Sequence, residues 1–162
     1  MQRIWAEDIV RRLDRHPSVG ALLDMCEENY AALMRLAPEL AQLDGCHRSR
    51  VASHQDLYLE VLDQAPYTSQ IHLTYYFDHH TGQKPDPNAV LRAYHDARQL
   101  EVVDLTQHIL PTGRLYEAPG LLNKWKANLF VGKWLAFCLH QGHRFDPNFP
   151  LRHENERRLA ET

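Results

Sequence analysis

The segment from Tyr67 to Phe77 constrains the fold most, because apolar and polar side chains alternate along its whole length. The more apolar set is Tyr67, Ser69, Ile71, Leu73, Tyr75 and Phe77, and the polar set is Thr68, Gln70, His72, Thr74 and Tyr76. Successive side chains of a β-strand point to opposite faces of its sheet. The pattern therefore predicts a long strand with one face buried and the other open.

Further strands are predicted on both sides of this segment. Leu57, Leu59 and Val61 alternate with polar neighbours, and Ala89–Leu105 predicts two strands that turn near Asp96–Gln99. A weaker strand pattern covers residues 47–54. The stretch Asp78–Asn88 is rich in Gly, Pro and Asp, so we expect an exposed loop there.

Helical patterns occupy both ends of the chain. Apolar residues recur at helical spacing in three segments, and each segment has a stop or cap signal. The first carries Trp5, Ile9 and Leu13 before Pro17; the second follows Ser18 and carries Leu22, Cys26, Tyr30, Leu33 and Ala37 before Pro38; the third spans Leu121–Gln141 before Gly142 and carries Ala127, Phe130, Val131, Trp134 and Cys138 on one face. The first segment and the second predict N-terminal helices, and the third predicts a long C-terminal helix.

The order of helices, strands and helix is typical of an α+β domain. We expect N-terminal helices, an antiparallel sheet of about four to six strands, and a long C-terminal helix packed on one sheet face. Residues 1–150 are predicted to form a single domain. Residues 151–162 are charged and poor in apolar groups, so we expect a frayed tail or a short surface helix.

Charge and composition restrict the class of partner. Eighteen Lys and Arg face 21 Asp and Glu, for a formal charge of −3, which argues against nucleic-acid binding through bulk charge. No apolar run is long enough to span a membrane, and the N-terminal residues lack the apolar core of a secretory signal. The three cysteines, Cys26, Cys46 and Cys138, lie far apart, which predicts free thiols in a reducing cytoplasm.

The candidate binding surface lies in the first strand of Ala89–Leu105. Arg92, Tyr94 and Asp96 occur at every second position, which predicts that they share one sheet face. If this strand pairs with the long strand, His72 joins the same patch. The planar guanidinium of Arg suits a carboxylate or phosphate, so the patch predicts a small acidic molecule or a protein as partner. The alternative is that these groups only solvate and stabilise the outer face.

Motifs for metal, cofactor and nucleophile chemistry are missing from the sequence. His79-His80 and His140-x-x-His143 are the tightest histidine groups, but neither CxxC nor HExxH occurs. There is no GxSxG and no glycine-rich phosphate loop. We therefore assign no catalytic residue, no metal and no cofactor from the sequence.

Three segments resemble the small bacterial YqiB-like family, a domain of unknown function. They are Met25–Tyr30 (MCEENY), Val90–Ala97 (VLRAYHDA) and Trp134–Gly142 (WLAFCLHQG). The resemblance implies a cytoplasmic bacterial protein, and it implies no activity, cofactor or catalytic residue. It also implies that the YHDA run matters, although not whether it serves folding or binding. For His95 we expect a buried hydrogen-bonding role in the hairpin.

Three functional hypotheses follow. The first is a non-enzymatic binding or regulatory protein that uses the face around Arg92, Tyr94, Asp96 and His72. The second is a small hydrolase, metal-assisted or not, in which His72, His95 or Asp96 acts as acid or base in a shared pocket. The third is a structural role as a homodimer, through an open sheet edge or through Trp125, which lies nearly opposite Trp134 on the last helix and is either packed under a loop or exposed.

Overall fold

The computed structural model describes residues 18–79, 82–107 and 120–147. It contains two helices, a short 3-10 helix and five strands in this part of the chain. In chain order they are α1 (Val19–Leu36), the 3-10 helix (Leu40–Gln42), β1 (Cys46–Ser49), β2 (Leu57–Gln64), β3 (Thr68–His79), β4 (Gly82–Tyr94), β5 (Gln99–Thr106) and α2 (Leu121–Gln141).

The five strands form one antiparallel sheet in the order β1-β2-β3-β4-β5, so each strand pairs with its neighbour in sequence. Short turns can connect antiparallel neighbours, which is why no crossover is needed. β3 lies at the centre, with Ile71 opposite Val61 of β2 and opposite Leu91 of β4. The predicted α+β fold, the antiparallel sheet and its number of strands are confirmed.

The alternation along β3 has the predicted consequence. Ile71, Leu73 and Tyr75 are buried on one side, together with Leu91 and Ala93 of β4. Gln70 and His72 lie on the other side and are partly exposed. We call these two sides the inner face and the outer face of the sheet.

The two helices run in the same direction and share the core with the inner face. Cys26, early in α1, contacts Asn128, early in α2, and Leu36 at the end of α1 accepts a hydrogen bond from Phe145 just beyond α2. Tyr75 of β3 packs edge-on against Trp134 of α2, with ring centroids 5.8 Å apart. Trp134, Phe130 and Leu33 are fully buried, so this layer holds the largest side chains of the core.

The helix ends follow the sequence signals. The Ser18 hydroxyl accepts from the Ala21 amide at the start of α1. Gly142 ends α2 with φ of 95°, a left-handed conformation that glycine adopts at little cost. The predicted bounds of α2, Leu121–Gln141, and its buried face are confirmed.

The predicted loop at Asp78–Asn88 is wrong. β3 continues to His79 and β4 begins at Gly82, so a two-stranded hairpin extends past the last pairs that β3 makes with β2 and β4 makes with β5. A bulge between Thr74 and Tyr76 marks the start of this hairpin. Its prolines misled the prediction, since proline is tolerated in a strand whose amide has no ladder partner to lose.

Three predictions concern residues outside the described part of the chain. They are the helix with Trp5, Ile9 and Leu13, the histidine pair at His80, and the tail 151–162. Trp125 is 8% exposed, so the interpretation that it is packed is correct. All three cysteines are free thiols, as predicted. No helix in the described part of the chain is long and apolar enough to cross a membrane.

Candidate functional site

The candidate site is a polar patch at the middle of the outer face. It is formed by Gln70 and His72 of β3, Arg92 and Tyr94 of β4, and Glu101 of β5. Gln70 lies directly opposite Arg92, and Arg92 lies opposite Glu101, so the three side chains form a row across three strands. Both helices pack on the inner face, which leaves this row uncovered by the described elements.

Arg92 is held in place by its neighbours on both sides. Its Nε and Nη2 atoms donate to Gln70 Oε1, at 3.2 and 2.9 Å. Its Nη1 lies 3.5 Å from the Tyr94 hydroxyl and 3.8 Å from a Glu101 carboxylate oxygen. The hydrogen bond with Tyr94 raises the pKa of Arg92 above its already high value, so the guanidinium stays charged. The side chain is still 38% exposed, and a guanidinium has five N–H donors.

Tyr94 and Glu101 are coupled to each other. The Tyr94 hydroxyl donates to a Glu101 carboxylate oxygen at 2.7 Å, and this bond orients the carboxylate beside Arg92. Glu101 is therefore both a support for the patch and a competitor for any incoming acidic group. The interaction between Arg92 and Glu101 is exposed, and such pairs contribute at most about 1 kcal/mol.

The prediction that Asp96 shares the face of Arg92 and Tyr94 is wrong. β4 ends at Tyr94, and Asp96 is an exposed residue of the turn that leads to β5. The alternation of side chains ends where the chain turns, so the strand rule does not extend to this residue. Glu101, on the next strand, is the carboxylate that the structure places beside Arg92.

His72 lies on the outer face as predicted, two cross-strand pairs along the ladder from Arg92. It faces Val90 of β4, hydrogen-bonds the Asn88 side chain and lies 3.8 Å from a Glu60 carboxylate oxygen. The structure thus brings three of the four predicted site residues onto one face: Arg92, Tyr94 and His72.

His95 belongs to a different network, on the inner side of the same hairpin. Its Nε2 is 2.8 Å from the Ser69 hydroxyl and its Nδ1 is 2.9 Å from the Tyr30 hydroxyl. Ser69 in turn donates to Gln64 Oε1 at 2.6 Å. Because the Ser69 proton is used there, its oxygen accepts from His95 Nε2–H, and Nδ1 accepts from Tyr30. Burial lowers the pKa of His95, with the nearby Asp96 opposing that shift, so the neutral imidazole is favoured.

The far end of this network is tied to the backbone. The Gln64 amide nitrogen donates to the carbonyl oxygens of Leu40 and Leu43, at 2.8 and 3.1 Å. The His95 backbone amide also donates to the Tyr67 carbonyl. His95 therefore connects the β4–β5 turn to α1, β3 and the segment before β1. This geometry supports the expected structural role of His95 in the hairpin.

The groups expected to converge in a hydrolase pocket do not do so. His72 lies on the outer face, His95 bonds on the inner side, and Asp96 is exposed in the turn. Ser69 and His95 resemble a nucleophile and base in their pairing, but Ser69 is fully buried and its proton is directed at Gln64.

Thiol and histidine groups elsewhere are also engaged in the fold. Cys138 of α2 is buried against the Tyr75 hydroxyl, and burial raises the pKa of its thiol to about 12. His143 is buried and contacts the Ser49 hydroxyl at 2.9 Å. Within the described ranges, no group of three or more His, Cys, Asp or Glu side chains is arranged to hold a metal ion.

Gln70 and Glu101 were not predicted as site residues, and their signals in the sequence differ. Gln70 belongs to the polar set of the long strand, and the structure gives it the role of holding Arg92. Glu101 was missed, although a four-residue turn after Tyr94 would have placed it near Arg92 in the hairpin. The bulge in this ladder lies beyond that pair, between Val90 and Leu91, so the turn alone sets the register of Arg92 and Glu101.

Comparison with known proteins identifies the family. The family model described as "Protein of unknown function (DUF1249)" matches residues 32–144 of the 162, a range that includes the Val90–Ala97 and Trp134–Gly142 segments. No curated protein and no solved structure matches the chain. The predicted membership in a family of unknown function is thus supported, while the YqiB-like name stays a prediction. The chain belongs to the DUF1249 family.

Proposed function

We propose that this protein is a non-enzymatic, cytoplasmic protein-binding module whose outer sheet face docks a partner through Arg92. The observation that carries the proposal is the geometry of Arg92. Its guanidinium is charged, oriented by Gln70 and Tyr94, and still exposed on a face that no described element covers. A group held in its binding geometry loses little conformational entropy on association.

The partner is expected to present a carboxylate. Planar guanidinium groups bind carboxylates with two parallel hydrogen bonds, which adds direction to the charge attraction. The carboxylate would replace the long contact between Arg92 and Glu101, which costs little because that pair is exposed.

A protein fits this face better than a small acidic molecule. Small-molecule sites are concave and bury most of their ligand, whereas these five residues stand on a sheet face that no described element covers. Glu101, with Asp63 contributing more weakly, also places negative charge near Arg92. A partner with a broad surface can gain contacts at Tyr94 and His72 that a small anion cannot reach.

Affinity capture with matched variants tests the proposal. Immobilised wild-type protein, Arg92→Ala and Arg50→Ala are incubated with lysate of the source cells, and the retained proteins are identified. Arg50 is a suitable control because it is an exposed arginine that pairs with Asp56 outside the patch. We expect at least one protein that the wild type and Arg50→Ala retain and Arg92→Ala loses.

The retained protein is then purified and its Kd measured against the same three variants. Removing a charged hydrogen-bonding partner costs about 1.5–3 kcal/mol, so Arg92→Ala should weaken binding roughly 10- to 150-fold. Equal retention of every protein by the three variants would show that the outer face is only a solvated surface. If Arg92→Ala loses only the binding of small carboxylic acids, the ligand of the outer face would be a metabolite and not a protein.

A further inference from the structure

The connection between β1 and β2, residues 50–56, contacts the C-terminal end of α2, and we call it the β1–β2 loop. Within the loop, His54 Nδ1 lies 3.1 Å from Gln141 Nε2. Ser49, at the end of β1, has its hydroxyl 2.9 Å from His143 Nδ1, just beyond α2. Two histidines thus take part in the contact between the loop and the helix end, which shares no residue with the outer-face patch.

The hydrogen bond between Gln141 and His54 has a fixed direction. The Tyr75 hydroxyl donates to Gln141 Oε1 at 2.8 Å, so the Nε2 amide group faces His54. An amide nitrogen only donates, so His54 Nδ1 accepts and carries no proton. A proton added to this Nδ1 places two donors against each other, and the bond is lost.

His143 is the buried histidine of the contact and is 2% exposed. Because Ser49 Oγ accepts from the Arg144 amide at 3.0 Å, its own proton is available to His143 Nδ1. Burial lowers the pKa of His143, and the nearby His54 lowers it further. Protonation of both rings therefore places like charges on the loop and on the helix end.

Asp56 is the acidic group of the loop that acts on His143. Asp56 and the Gln55 backbone raise the pKa of His143, but burial has the larger effect and the pKa is lowered. The Asp56 carboxylate already lies 3.9 Å from Arg48 Nε and 3.5 Å from Arg50 Nη2. Its charge is shared with two arginines, so it compensates a protonated His143 only in part.

The neighbouring groups on β3 and α2 stay neutral. The rings of Tyr75 and His143 have centroids 5.9 Å apart, and burial raises the pKa of the Tyr75 hydroxyl. Cys138, whose thiol lies 3.3 Å from that hydroxyl, has its pKa raised by burial to about 12. Neither group supplies a negative charge to a protonated His143, and the adjacent Arg144 adds a positive one.

We infer that the β1–β2 loop is a pH-dependent switch, which stays closed on the end of α2 while His54 and His143 are neutral and opens when both are protonated. In the closed loop Ser53 has a φ of 66°, a left-handed conformation that is unfavourable for a residue with a side chain. Opening relieves this strain and exposes Ser49 and His143 to solvent. The switch does not rest on the proposed function of the outer face.

Amide hydrogen exchange of the full ¹⁵N-labelled chain, measured by NMR at pH 7.5 and pH 5.5 and corrected for intrinsic rates, tests the inference. The Arg144 amide reports the loop, because it donates to Ser49, and the Leu73 amide in the central strand β3 reports global unfolding. Protection of Arg144 should fall at least about fivefold more than that of Leu73, since one proton changes an equilibrium at most about tenfold per pH unit. Equal changes at the two amides, or unchanged protection of Arg144, would overturn the inference.

Matched histidine substitutions identify the titrating group. His54→Gln retains an acceptor for Gln141 but does not titrate, so it should reduce the excess loss of Arg144 protection at least about twofold. His140→Gln removes an exposed histidine from the last turn of α2 and should retain the wild-type response. Both positions are exposed, so both variants should fold. A wild-type response in His54→Gln, or a reduced response in His140→Gln, would contradict the assigned role of His54.

Discussion

Two polar networks meet at the end of β4 and differ in what surrounds them. Arg92 and Tyr94 bond with Gln70 and Glu101 on the open outer face. His95, one residue after Tyr94, bonds with Ser69 and Tyr30 on the inner side. Water can replace any partner in the outer network, whereas it has poor access to the inner one. The hydrogen-bonding groups of the outer face therefore remain available for binding, whereas those on the inner side stabilise the fold.

The largest effect on the free energy of unfolding is expected for His95→Ala. This change leaves the Ser69 oxygen and the Tyr30 hydroxyl without their partner, and a buried unsatisfied group costs about 1–3 kcal/mol. We expect the free energy of unfolding in urea to fall by about 2–4 kcal/mol.

Arg92→Ala and Asp96→Ala are the matched controls for that experiment. Both residues belong to the same hairpin as His95 but have solvent access, so each should change the free energy of unfolding by less than about 1 kcal/mol. A loss at Arg92 as large as that at His95 would remove the distinction between the two networks.

The second prediction concerns pH. Burial keeps the pKa of His95 below its usual 6.5, and burial has the same effect on His143. Between pH 6.5 and the lowered folded pKa, the unfolded chain binds more protons than the folded one, so stability falls as the pH falls through this window. Above pH 6.5 this contribution is fully present.

A variant isolates the share of His95 in that dependence. His95→Gln should reduce the slope of unfolding free energy against pH, by at most about 1.4 kcal/mol per pH unit for one proton. Urea denaturation at several pH values below 7 measures the slope. Arg92→Ala should retain the wild-type slope because its guanidinium does not titrate there, and an unchanged slope in His95→Gln would mean that the imidazole is not sheltered from water.

The smallest effect is expected for Glu101→Gln. The glutamine still accepts from the Tyr94 hydroxyl but no longer competes for Arg92, so partner affinity should rise about two- to fivefold. Isothermal titration calorimetry against the Arg92-dependent partner checks this, with Glu39→Gln as an exposed control on the 3-10 turn. Weaker binding by Glu101→Gln would show that Glu101 contacts the partner itself.

Periodicity predicted most of the fold. The alternation around Ile71 and the helical stripe around Trp134 each reflect a buried face, and burial is what a sequence records most strongly. The hairpin at Asp78–Asn88 escaped prediction because its Pro and Gly residues are typical of loops as well as of edge strands.

Strand alternation also predicted part of the candidate site. Arg92, Tyr94 and His72 follow from strand alternation, but Asp96 does not, since the turn begins before it. The partner of Arg92 depends on the turn that pairs Tyr94 with Gln99, and side-chain patterns alone do not fix the bounds of that turn. Asn29 and Gly132 meet only through the packing of two helices far apart in sequence, so no local pattern indicates this contact.

The most direct test of the outer-face assignment is a chemical-shift map of the ¹⁵N-labelled protein bound to its Arg92-dependent partner. We predict that the largest shifts fall on Gln70, His72, Arg92, Tyr94 and Glu101, and that the amides of α1 and α2 change little. Shifts concentrated on the two helices, with the outer face unchanged, would contradict the proposal that this sheet face is the binding surface.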